Sequence, residues 1–475
     1  MAATAKAPKV MGYLPEDRPP AGQMALLGLQ HVITMFPATV LCAMLMGFPV
    51  STVLTVTGFG TMIALIVSKL TIGTFIPLYY GSSFSYIAAV LGVIAALYGT
   101  VEFGVPVPAD VIRVVQAGFI ATGVINIIAG AVIRSTGGKK NLDKVLPPIV
   151  TGPVACTIGI GLGASALQMA SGVAGGIAEG ALSWWFVSMV TLVVTVLFSV
   201  YLQGKGFIGL LPILLGAVVG YIVAIPFGLV NFSVIGTSAL LRAPQITFPV
   251  FNHPMTVTVL VSIGVMAIAT IPESTAHLYQ ISLYVDALAV EQGRDRIRLA
   301  QYIGANLMID GLNDLINGLF GSTAGTNYGE NNSLMVITRN YSGPVLITAG
   351  FISVILGFVG PLADIVSSIP TAVSGGLSIY LFGVIGMQGI ALMMSEKVNL
   401  FDPKELAIGA IILIVGIGGN IGFPGGFLPV PALAGIFPFG WPAIATAALL
   451  GIGLNLIFLI FGAPKRDHIN ISLDD

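Results

Sequence analysis

Long apolar runs with almost no charge recur along the whole sequence, separated by short polar hinges. Hydrophobic residues make up 56% of the chain and charged residues only 8%, whereas soluble domains carry roughly 25% charged residues. Most runs have roughly 20 residues, the length that a helix needs to cross a bilayer, and the alternation typical of a membrane β-barrel is missing. The sequence therefore predicts an all-α integral membrane protein.

Glycine, proline and charged residues divide the apolar sequence into fourteen candidate spans. A Gly/Pro-rich stretch at 415–437 predicts a hinge or a broken connection between the last two spans. The tenth span is short, and the eighth is long enough to be tilted. The approximate ranges of the spans are 24–43, 50–68, 76–98, 111–133, 146–168, 183–203, 207–226, 255–286, 299–319, 327–338, 345–366, 370–394, 405–422 and 434–462.

The basic residues test this span count, because the cytoplasmic flanks of membrane helices are enriched in Lys and Arg. With the N-terminus inside, 17 of the 19 Lys and Arg residues fall in cytoplasmic segments, and only Arg113 and Arg242 do not. One span more or fewer would invert every later loop and lose this agreement. We therefore expect a plasma (inner) membrane protein with both termini in the cytoplasm. Residues 1–23 lack a signal-peptide pattern and form the expected N-terminal tail.

The third and tenth spans share an unusual pattern. The sequence reads IPLYYGSSFSYIAAV around Tyr80 and AGTNYGENNSLMVIT around Tyr328, and the two tyrosines are 248 positions apart. Seven spans separate the two copies, and because seven is odd, the second copy runs through the membrane in the opposite direction. Corresponding interrupted segments in two inverted 7-span repeats indicate the binding site of a secondary transporter. A chance match of two Tyr-Gly pairs is the alternative.

Both segments contain residues that discourage a continuous helix, namely Pro77, Gly81, Gly325 and Gly329. Each of the two spans should therefore consist of a short extended segment followed by a half-helix. Such backbone survives at membrane depth only where protein or a polar cavity satisfies it. We expect the two stretches to meet at the midplane, with each half-helix pointing free N–H groups at a common ligand. The expected donors are Ser83, Phe84, Asn331 and Asn332.

Ionisable side chains within the apolar spans are candidate functional residues, because a bilayer makes them costly. Glu273 and His277 lie one helical turn apart in the eighth span, and Glu330 lies in the opening stretch of the tenth. No Lys or Arg lies inside the membrane to neutralise the two glutamates. Histidine titrates near neutral pH, so Glu273 and His277 could share or relay a proton. Proton coupling is the resulting hypothesis, with a structural hydrogen bond as the alternative for His277.

Three other ionisable residues also fall within the spans. His31, beside Gln30 in the first span, is expected to bridge helices through a hydrogen bond, with ligand contact as the alternative. Asp310 and Asp314 are four residues apart and share a face of the ninth span. We expect Asp310 to be a candidate ion site and Asp314 to support the structure.

Several other classes of function are disfavoured. Cys42 and Cys156 both lie in apolar runs and form neither a disulfide framework nor a metal-ligand spacing. The GIGLG stretch at Gly159 lacks the context of a dinucleotide site, and no phosphate-binding Gly-Lys-Ser loop occurs. No nucleophile–base arrangement occurs within the spans. We therefore expect no catalytic residues, no metal and no cofactor, and a transporter rather than an enzyme.

Four motifs together resemble the nucleobase–ascorbate transporter family, and in particular its bacterial uracil permease branch. They are QH at Gln30, YYGSSFSYIAAV from Tyr79, PESTAHL from Pro272 and NYGENNSLMVITRNYS from Asn327. The resemblance covers the whole chain. It implies proton-coupled symport of a nucleobase, with uracil the first expectation. It also implies a homodimer in a lipid bilayer, a small-molecule nucleobase as partner, and no nucleic acid.

The resemblance implies a division into core and gate, and transport by an elevator movement of the core against the gate. After the N-terminal tail, the core domain comprises 24–140 (spans 1–4) and 231–368 (spans 8–11). The gate domain comprises 141–230 (spans 5–7) and 369–475 (spans 12–14 with the C-terminal tail), and it makes the dimer contact.

The resemblance also implies roles for individual residues. Glu273 and Glu330 would hydrogen-bond the substrate ring, while Phe84 and Gly329 would contribute backbone groups. His277 matches the histidine that uracil-type members use in proton coupling. Further expected members of the substrate site are Tyr328 and Ser83, further residues for proton coupling are His31 and Asp310, and Asn331 with Ser333 would shape the pocket.

Ser333 departs from the family signature, which has glycine at this position. A serine narrows the helix surface and adds a hydroxyl, so the choice between uracil and xanthine or another purine stays open. Pro272 before Glu273 also departs from the commonest uracil-type sequence. The expected coupling ion is H⁺, and Na⁺ is the alternative. An anion exchanger of the same architecture is a further alternative, which two glutamates at the site disfavour.

Overall fold

The computed structural model describes residues 12–99, 101, 103–136, 144–434, 437 and 440–462. Within these residues, nine helical segments are long and apolar enough to cross a membrane. The expectation of a mostly helical, multi-pass membrane protein is therefore confirmed, whereas the count of fourteen crossings stays a prediction. Six of the basic residues used to orient the chain lie outside the described residues: Lys6, Lys9, Lys139, Lys140, Lys465 and Arg466.

Among the described residues, the first half of the chain forms eight α-helices of at least nine residues and one short strand. They are α1 (Ala21–Met46), α2 (Val50–Ile72), β1 (Tyr80–Ser82), α3 (Ile87–Leu97), α4 (Ala109–Thr136), α5 (Pro148–Gly161), α6 (Gly163–Ser171), α7 (Leu182–Tyr201) and α8 (Pro212–Ala224). The second half contains α9 (Thr256–Gly264), α10 (Ala267–Glu291), α11 (Ile303–Phe320), β2 (Gly325–Asn327), α12 (Gly329–Thr338), α13 (Gly343–Gly357), α14 (Gly360–Ser367), α15 (Thr371–Ser395), α16 (Pro403–Leu413), β3 (Phe427–Leu428), β4 (Trp441–Pro442) and α17 (Ala443–Phe461).

The predicted eleventh span, 345–366, is wrong as a single helix. Helix α13 ends at Gly357, and the separate short helix α14 begins at Gly360. Pro361 explains the break, because proline donates no backbone hydrogen bond and disfavours helical geometry in the residue before it. The broken connection predicted after α16 is present in its described part, whereas its role as a hinge stays a prediction. There a π-helical turn, Ile414–Gly418, leads into a bend at Gly425, whose φ is 62°.

Glycines allow the helices to approach closely, as is typical of membrane bundles. At the crossing of α4 and α11, a Cβ atom on Gly130 would lie 2.5 Å from the carbonyl oxygen of Gly304. At the crossing of α5 and α15, a Cβ atom on Gly389 would lie 2.4 Å from the carbonyl oxygen of Gly152. Helices α2, α4, α11 and α13 thus form one closely packed set, and α5 packs with α15 in another. The division into core and gate, with its boundaries, stays a prediction.

Residues 12–20 form an N-terminal strap across one end of the first helix set. The Tyr13 N–H donates to the carbonyl oxygen of Arg339 at 2.9 Å, and the Tyr341 N–H donates to the carbonyl oxygen of Tyr13 at 2.8 Å. The Arg294 guanidinium contacts both carboxylate oxygens of Asp17, at 2.8 and 2.9 Å. The strap therefore ties the α12–α13 connection to the α10–α11 connection.

Strands β1 and β2 pair in antiparallel fashion at the centre of the molecule, with Tyr80 opposite Asn327 and Ser82 opposite Gly325. The ladder extends by one bond at each end. The Ser83 N–H donates to the carbonyl oxygen of Ala324 at 3.1 Å, and the Tyr328 N–H donates to that of Tyr79 at 2.8 Å. The two interrupted stretches therefore meet, as expected. The full inverted repeat stays a prediction.

Candidate substrate-binding site

A cavity of about 580 Å³ lies beside the point where α12 begins, between the two sets of helices. One wall is polar and comes from the paired strands, α10 and α12; it includes Ser83, Phe84, Glu273, His277, Asn327, Tyr328, Gly329, Glu330 and Ser333. The opposite wall is mostly apolar and comes from α5 and α15; it includes Ala155, Leu381, Val384 and Ile385. The structure therefore brings together eight of the eleven residues predicted for the site.

Two carboxylates line this cavity from different elements. Glu273 follows Pro272 within α10, and Glu330 is the second residue of α12. Neither carboxylate has a hydrogen-bond or ion-pair partner among the described residues, and no Lys or Arg lines the cavity. Carboxylates in such a setting are costly unless they accept hydrogen bonds. Both side chains are therefore free to accept hydrogen bonds from the N–H groups of a ligand.

His277 is oriented by Asn327. Its Nδ1 atom lies 2.6 Å from the side-chain oxygen of Asn327 and 2.9 Å from the backbone oxygen of the same residue. Because both neighbours are acceptors, Nδ1 must carry the hydrogen. The Nε2 atom faces the start of α12, where a Cβ atom on Gly329 would lie only 3.0 Å away. The neutral histidine therefore presents an unprotonated nitrogen beside the cavity, and only glycine leaves it room.

A hydrogen-bonded chain extends from His277 into the protein. The side-chain amides of Asn327 and Asn306 both donate to the Ser274 hydroxyl, at 2.7 and 2.9 Å. Ser274 in turn hydrogen-bonds to Asp310, which is buried and does not line the cavity. Ser274 and Asn327 thus connect Asp310 to His277 by hydrogen bonds. The predicted role of Asp310 in proton coupling stays a prediction and would have to be indirect.

Asp314 lies one turn further along α11 and holds the start of β2. One carboxylate oxygen accepts the Gly325 N–H at 2.7 Å, and the other accepts the amide of Asn126 at 3.0 Å. Both oxygens therefore have partners within the protein. The expected supporting role of Asp314 is confirmed.

Two of the four expected backbone donors are not free. The Ser83 N–H belongs to the extended ladder, and the Asn332 N–H donates to the Tyr328 carbonyl as the first bond of α12. These two predictions are wrong, because the ladder runs one residue further than expected and α12 begins at Gly329. Helix geometry leaves the N–H groups of the first residues of each half-helix without intrahelical partners. Phe84 and Gly329, which both line the cavity, are such residues.

Tyr328 and Ser333 shape the cavity through groups already bonded within the protein. The Tyr328 hydroxyl lies 2.9 Å from both the Thr39 hydroxyl and the backbone oxygen of Ser82, and its ring covers Gly81. The Ser333 hydroxyl donates to the Gly329 carbonyl, one turn earlier, at 3.0 Å. The hydroxyl that distinguishes this chain from the family pattern therefore has a partner, while its bulk still narrows the cavity.

His31 and Asn331 do not line the cavity. They form a pair behind α12, in which the Asn331 amide lies 3.0 Å from both the ring Nδ1 and the backbone oxygen of His31. An amide that donates to Nδ1 makes Nδ1 an acceptor, so a neutral His31 carries its hydrogen on Nε2. The expected helix-bridging role of His31 is confirmed. The predicted roles of His31 in proton coupling and of Asn331 in shaping the pocket stay predictions. Because neither residue lines the cavity, each could act on the substrate only through other residues.

Sequence reasoning missed two glutamines that line the cavity, Gln280 on α10 and Gln388 on α15. Gln280 lies seven residues after Glu273 and three after His277, so the helical period alone places it on their face. Gln388 carried no such signal, because it lies in a helix that contributes no ionisable residue to the site.

Comparisons with known proteins show which family the chain resembles. The chain matches the sequence profile of a permease family over residues 22–425. It is 34% identical over 464 residues to a uracil permease of Bacillus caldolyticus, covering 96% of this chain and 98% of that protein. It is 33% identical over 467 residues to a uracil permease of Escherichia coli, covering 97% and 96% of the two chains.

Solved structures with little sequence identity share the fold. The transmembrane domain of the cyanobacterial bicarbonate transporter BicA aligns with a TM-score of 0.60 at 14% identity, covering 87% of this chain and 99% of that one. SLC26A9 aligns with a TM-score of 0.65 at 12% identity, covering 94% and 66%. Identities this low show a shared fold and say nothing about function. The match to the family profile and the identity to the uracil permeases are high enough to show the family. The chain is a membrane transporter rather than an enzyme, and it belongs to the nucleobase–ascorbate transporter family of permeases.

Proposed function

We propose that this protein transports a nucleobase, uracil first, by proton-coupled symport. The observation that carries the proposal is a cavity whose described lining holds two unpartnered carboxylates and neither Lys nor Arg. Uracil is a small planar ring with two N–H donors and two carbonyl acceptors. Glu273 and Glu330 supply acceptors for the N–H groups, and the backbone N–H groups of Phe84 and Gly329 supply donors for a carbonyl. The names of the relatives support uracil as substrate.

His277 is the proposed proton carrier in the cavity. Its Nδ1 hydrogen is held by Asn327, so a further proton has to bind at Nε2, which faces the start of α12. Two carboxylates in one membrane cavity repel each other, and a proton that enters with the substrate lowers that cost. Protonation and substrate binding would thereby favour each other. Na⁺ is the alternative coupling ion, and a separate sodium gradient tests it.

The two unlike walls of the cavity support an elevator movement. The polar wall belongs to the set of helices that holds the paired strands, and the wall from α5 and α15 offers mainly Ala155, Leu381, Val384 and Ile385. An apolar surface makes few hydrogen bonds that a sliding partner would have to break. The polar set can therefore carry the substrate past this wall. Fourteen spans in two inverted repeats, a homodimer formed by the gate, and cytoplasmic termini in the inner membrane belong to the same proposal.

Two alternative functions differ from uracil transport in the ligand that is carried. Xanthine or another purine is the nearer one, because the cavity of about 580 Å³ is larger than a pyrimidine requires. An anion exchanger is the more distant one, suggested by the bicarbonate transporter that shares the fold. An anion site of this architecture would need net positive charge at the helix ends. Glu273 and Glu330 provide the opposite charge.

Uptake of radiolabelled uracil into proteoliposomes tests the proposal. We expect accumulation driven by an inward proton gradient, no stimulation by a sodium gradient, and inhibition by unlabelled uracil. A panel of uracil, thymine, xanthine, hypoxanthine and adenine, with bicarbonate and sulfate added, separates the alternatives. Uptake that is indifferent to the proton gradient would refute coupling, and stronger inhibition by xanthine than by uracil would reassign the substrate.

Neutral substitutions test the site itself. Glu273→Gln and Glu330→Gln each replace a charge-assisted hydrogen bond by a neutral one, which should weaken uracil binding by roughly tenfold. Glu179→Gln is the matched control, because Glu179 is exposed and lies outside the cavity. If both cavity variants bound uracil like the control, the assignment of this site would be wrong.

A further inference from the structure

A chain of hydrogen bonds leads from the ring of His277 to a carboxylate outside the substrate cavity. It connects α10, the end of β2 and α11, and its members are His277, Asn327, Ser274 and Asp310. The last three residues are at most 1% exposed. In the described part of the chain, Ser274 and Asp310 do not line the cavity. Ser274 can therefore act on a bound ligand only through another residue.

The hydrogen bonds of this chain all run in one direction. Nδ1 of His277 faces the backbone oxygen of Asn327, so Nδ1 donates, and the Asn327 side-chain atom at 2.6 Å has to be the oxygen. The nitrogen of the same amide then donates to the Ser274 hydroxyl at 2.7 Å. Ser274 also accepts the Asn306 amide at 2.9 Å, which leaves its own hydrogen for Asp310. Each donor of the chain thus points away from the cavity and toward Asp310.

Ser274 fixes the orientation of the Asn327 amide. If the amide were reversed, its NH₂ group would face the Nδ1 hydrogen of His277, and two donors would meet. Without the Ser274 hydroxyl, the amide nitrogen would be a buried donor that lacks its partner, and such groups are costly. The amide would then rotate toward another acceptor, and the ring would keep only the backbone oxygen of Asn327. Ser274 therefore holds the ring of His277 through Asn327.

The aligned chain matters most when the ring of His277 carries a second proton. That proton adds to the lone pair of Nε2 and later leaves from the same nitrogen, while the Nδ1 hydrogen stays in place. A charged ring donates more strongly from Nδ1, and aligned hydrogen bonds reinforce one another in the protein interior. Ionisable groups around the ring include Glu273 on its own helix, Glu330 on α12 and Asp310 on α11. The two glutamates line the cavity, whereas Asp310 is reserved for the chain.

We propose that Ser274 and Asn327 are positioning residues for proton coupling. They hold His277 with Nε2 toward the start of α12 and allow the ring to carry a second proton, while Asp310 anchors the chain. The proposal rests on the proposed role of His277 as the proton carrier. Uracil itself is held by the cavity carboxylates and by backbone N–H groups. Loss of the chain should therefore impair coupling more than binding.

The position of the His277 ring is measured in Ser274→Ala. Nitrogen NMR of the full-length protein, labelled at its histidine nitrogens in lipid nanodiscs, reports which ring nitrogen carries hydrogen. A His277→Ala sample assigns the signals among the four histidines of the chain. At high pH, we expect only the Nδ1–H form of His277 in the unmodified protein. The His277 signals should split or broaden in Ser274→Ala, and Ser274→Thr, which keeps the hydroxyl, should restore the single form.

Transport in proteoliposomes provides the functional measurement. Ser274→Ala should lower the accumulation of uracil driven by a proton gradient about fivefold. Uracil binding, and the exchange of labelled for unlabelled uracil, should change by no more than about twofold. Ser274→Thr should recover accumulation. The matched control is Ser262→Ala, because Ser262 is equally buried and its hydroxyl donates to the carbonyl oxygen of Thr258 within the same helix.

The outcomes separate the positioning role from the proposed function. If uracil uptake by the unmodified protein ignored the proton gradient, proton coupling would fail, and the role of the chain would fail with it. If uptake were coupled but Ser274→Ala matched Ser262→Ala in both measurements, only the positioning role would be overturned. Equal losses of binding and accumulation would also overturn it, because Ser274 would then support the site as a whole. Should Ser274→Ala bind no uracil, Ser274→Cys, which keeps a similar volume, takes its place under the same criteria.

Discussion

Gly329→Ala should weaken uracil binding while the protein stays folded. Gly329 is the first residue of α12 and lines the substrate cavity. The three atoms nearest to a Cβ at this position all belong to His277: Nε2 at 3.0 Å, Cε1 at 3.5 Å and Cδ2 at 3.9 Å. The added methyl group therefore acts on one side chain alone. Because Nδ1 of the same ring is held by two oxygens of Asn327, the ring cannot move away without straining those contacts.

The magnitude follows from what the displaced ring loses. Holding the ring in the position that the cavity requires, against the added methyl group, should cost about as much as one net hydrogen bond, about 1 kcal/mol, and this raises the Kd for uracil about fivefold. Alanine favours helix over glycine by up to about 1 kcal/mol, which offsets the strain in the folded state. The unfolding temperature should therefore change little, even though binding weakens.

Binding is measured by calorimetry on purified protein, with thermal unfolding recorded in parallel. Gly163→Ala is the matched control, since Gly163 is also the first residue of a helix and a Cβ there meets nothing within 4 Å. The double variant provides the decisive comparison. In a His277→Ala background, Gly329→Ala should have no further effect beyond about twofold. A fivefold loss that persisted in this background would refute the reasoning, because the methyl group would then act without the histidine.

Three more predictions concern specificity and stability. Ser333→Gly should raise the affinity for xanthine relative to uracil in the competition panel, because it widens the cavity; an unchanged ratio would show that this position does not set ligand size. Asp17→Asn should lower the free energy of unfolding by about 0.5–1 kcal/mol, since its pair with Arg294 is partly exposed, and most of the effect should be absent in Arg294→Gln, in which Asp17 keeps only its contact with the Leu14 N–H. Gly130→Ala should destabilise by about 1–3 kcal/mol through its contact with the Gly304 backbone; an unchanged melting temperature would contradict this close packing of α4 and α11.

The sequence predicted the composition of the site better than its hydrogen bonds. Glu273, His277 and Glu330 stood out because ionisable groups are rare in apolar spans, and all three line one cavity. Gln388 could not be found in this way, because it lies on α15, and only the packing of α15 against the other helices brings it to the cavity. The break before α14 was also missed, although Pro361 marks it. The residues on both sides of the break are mostly apolar, so the sequence was interpreted as one continuous span.

The error about free backbone donors has a general cause. Pro77, Gly81, Gly325 and Gly329 correctly indicated interrupted helices, and an interrupted helix exposes N–H groups that need partners. The sequence assigned the N–H groups of Ser83 and Asn332 to a ligand, whereas the carbonyl oxygen of Ala324 accepts the first and that of Tyr328 accepts the second. Antiparallel pairing of β1 with β2, extended by Ser83 and Tyr328, satisfies backbone groups at the crossing, and helix geometry leaves donors at the start of each half-helix. The same pairing fixes the distance between Phe84 and Gly329. A rigid pair of donors, in one cavity with the carboxylates of Glu273 and Glu330, can discriminate among planar rings in a way that a loose cluster of amides cannot.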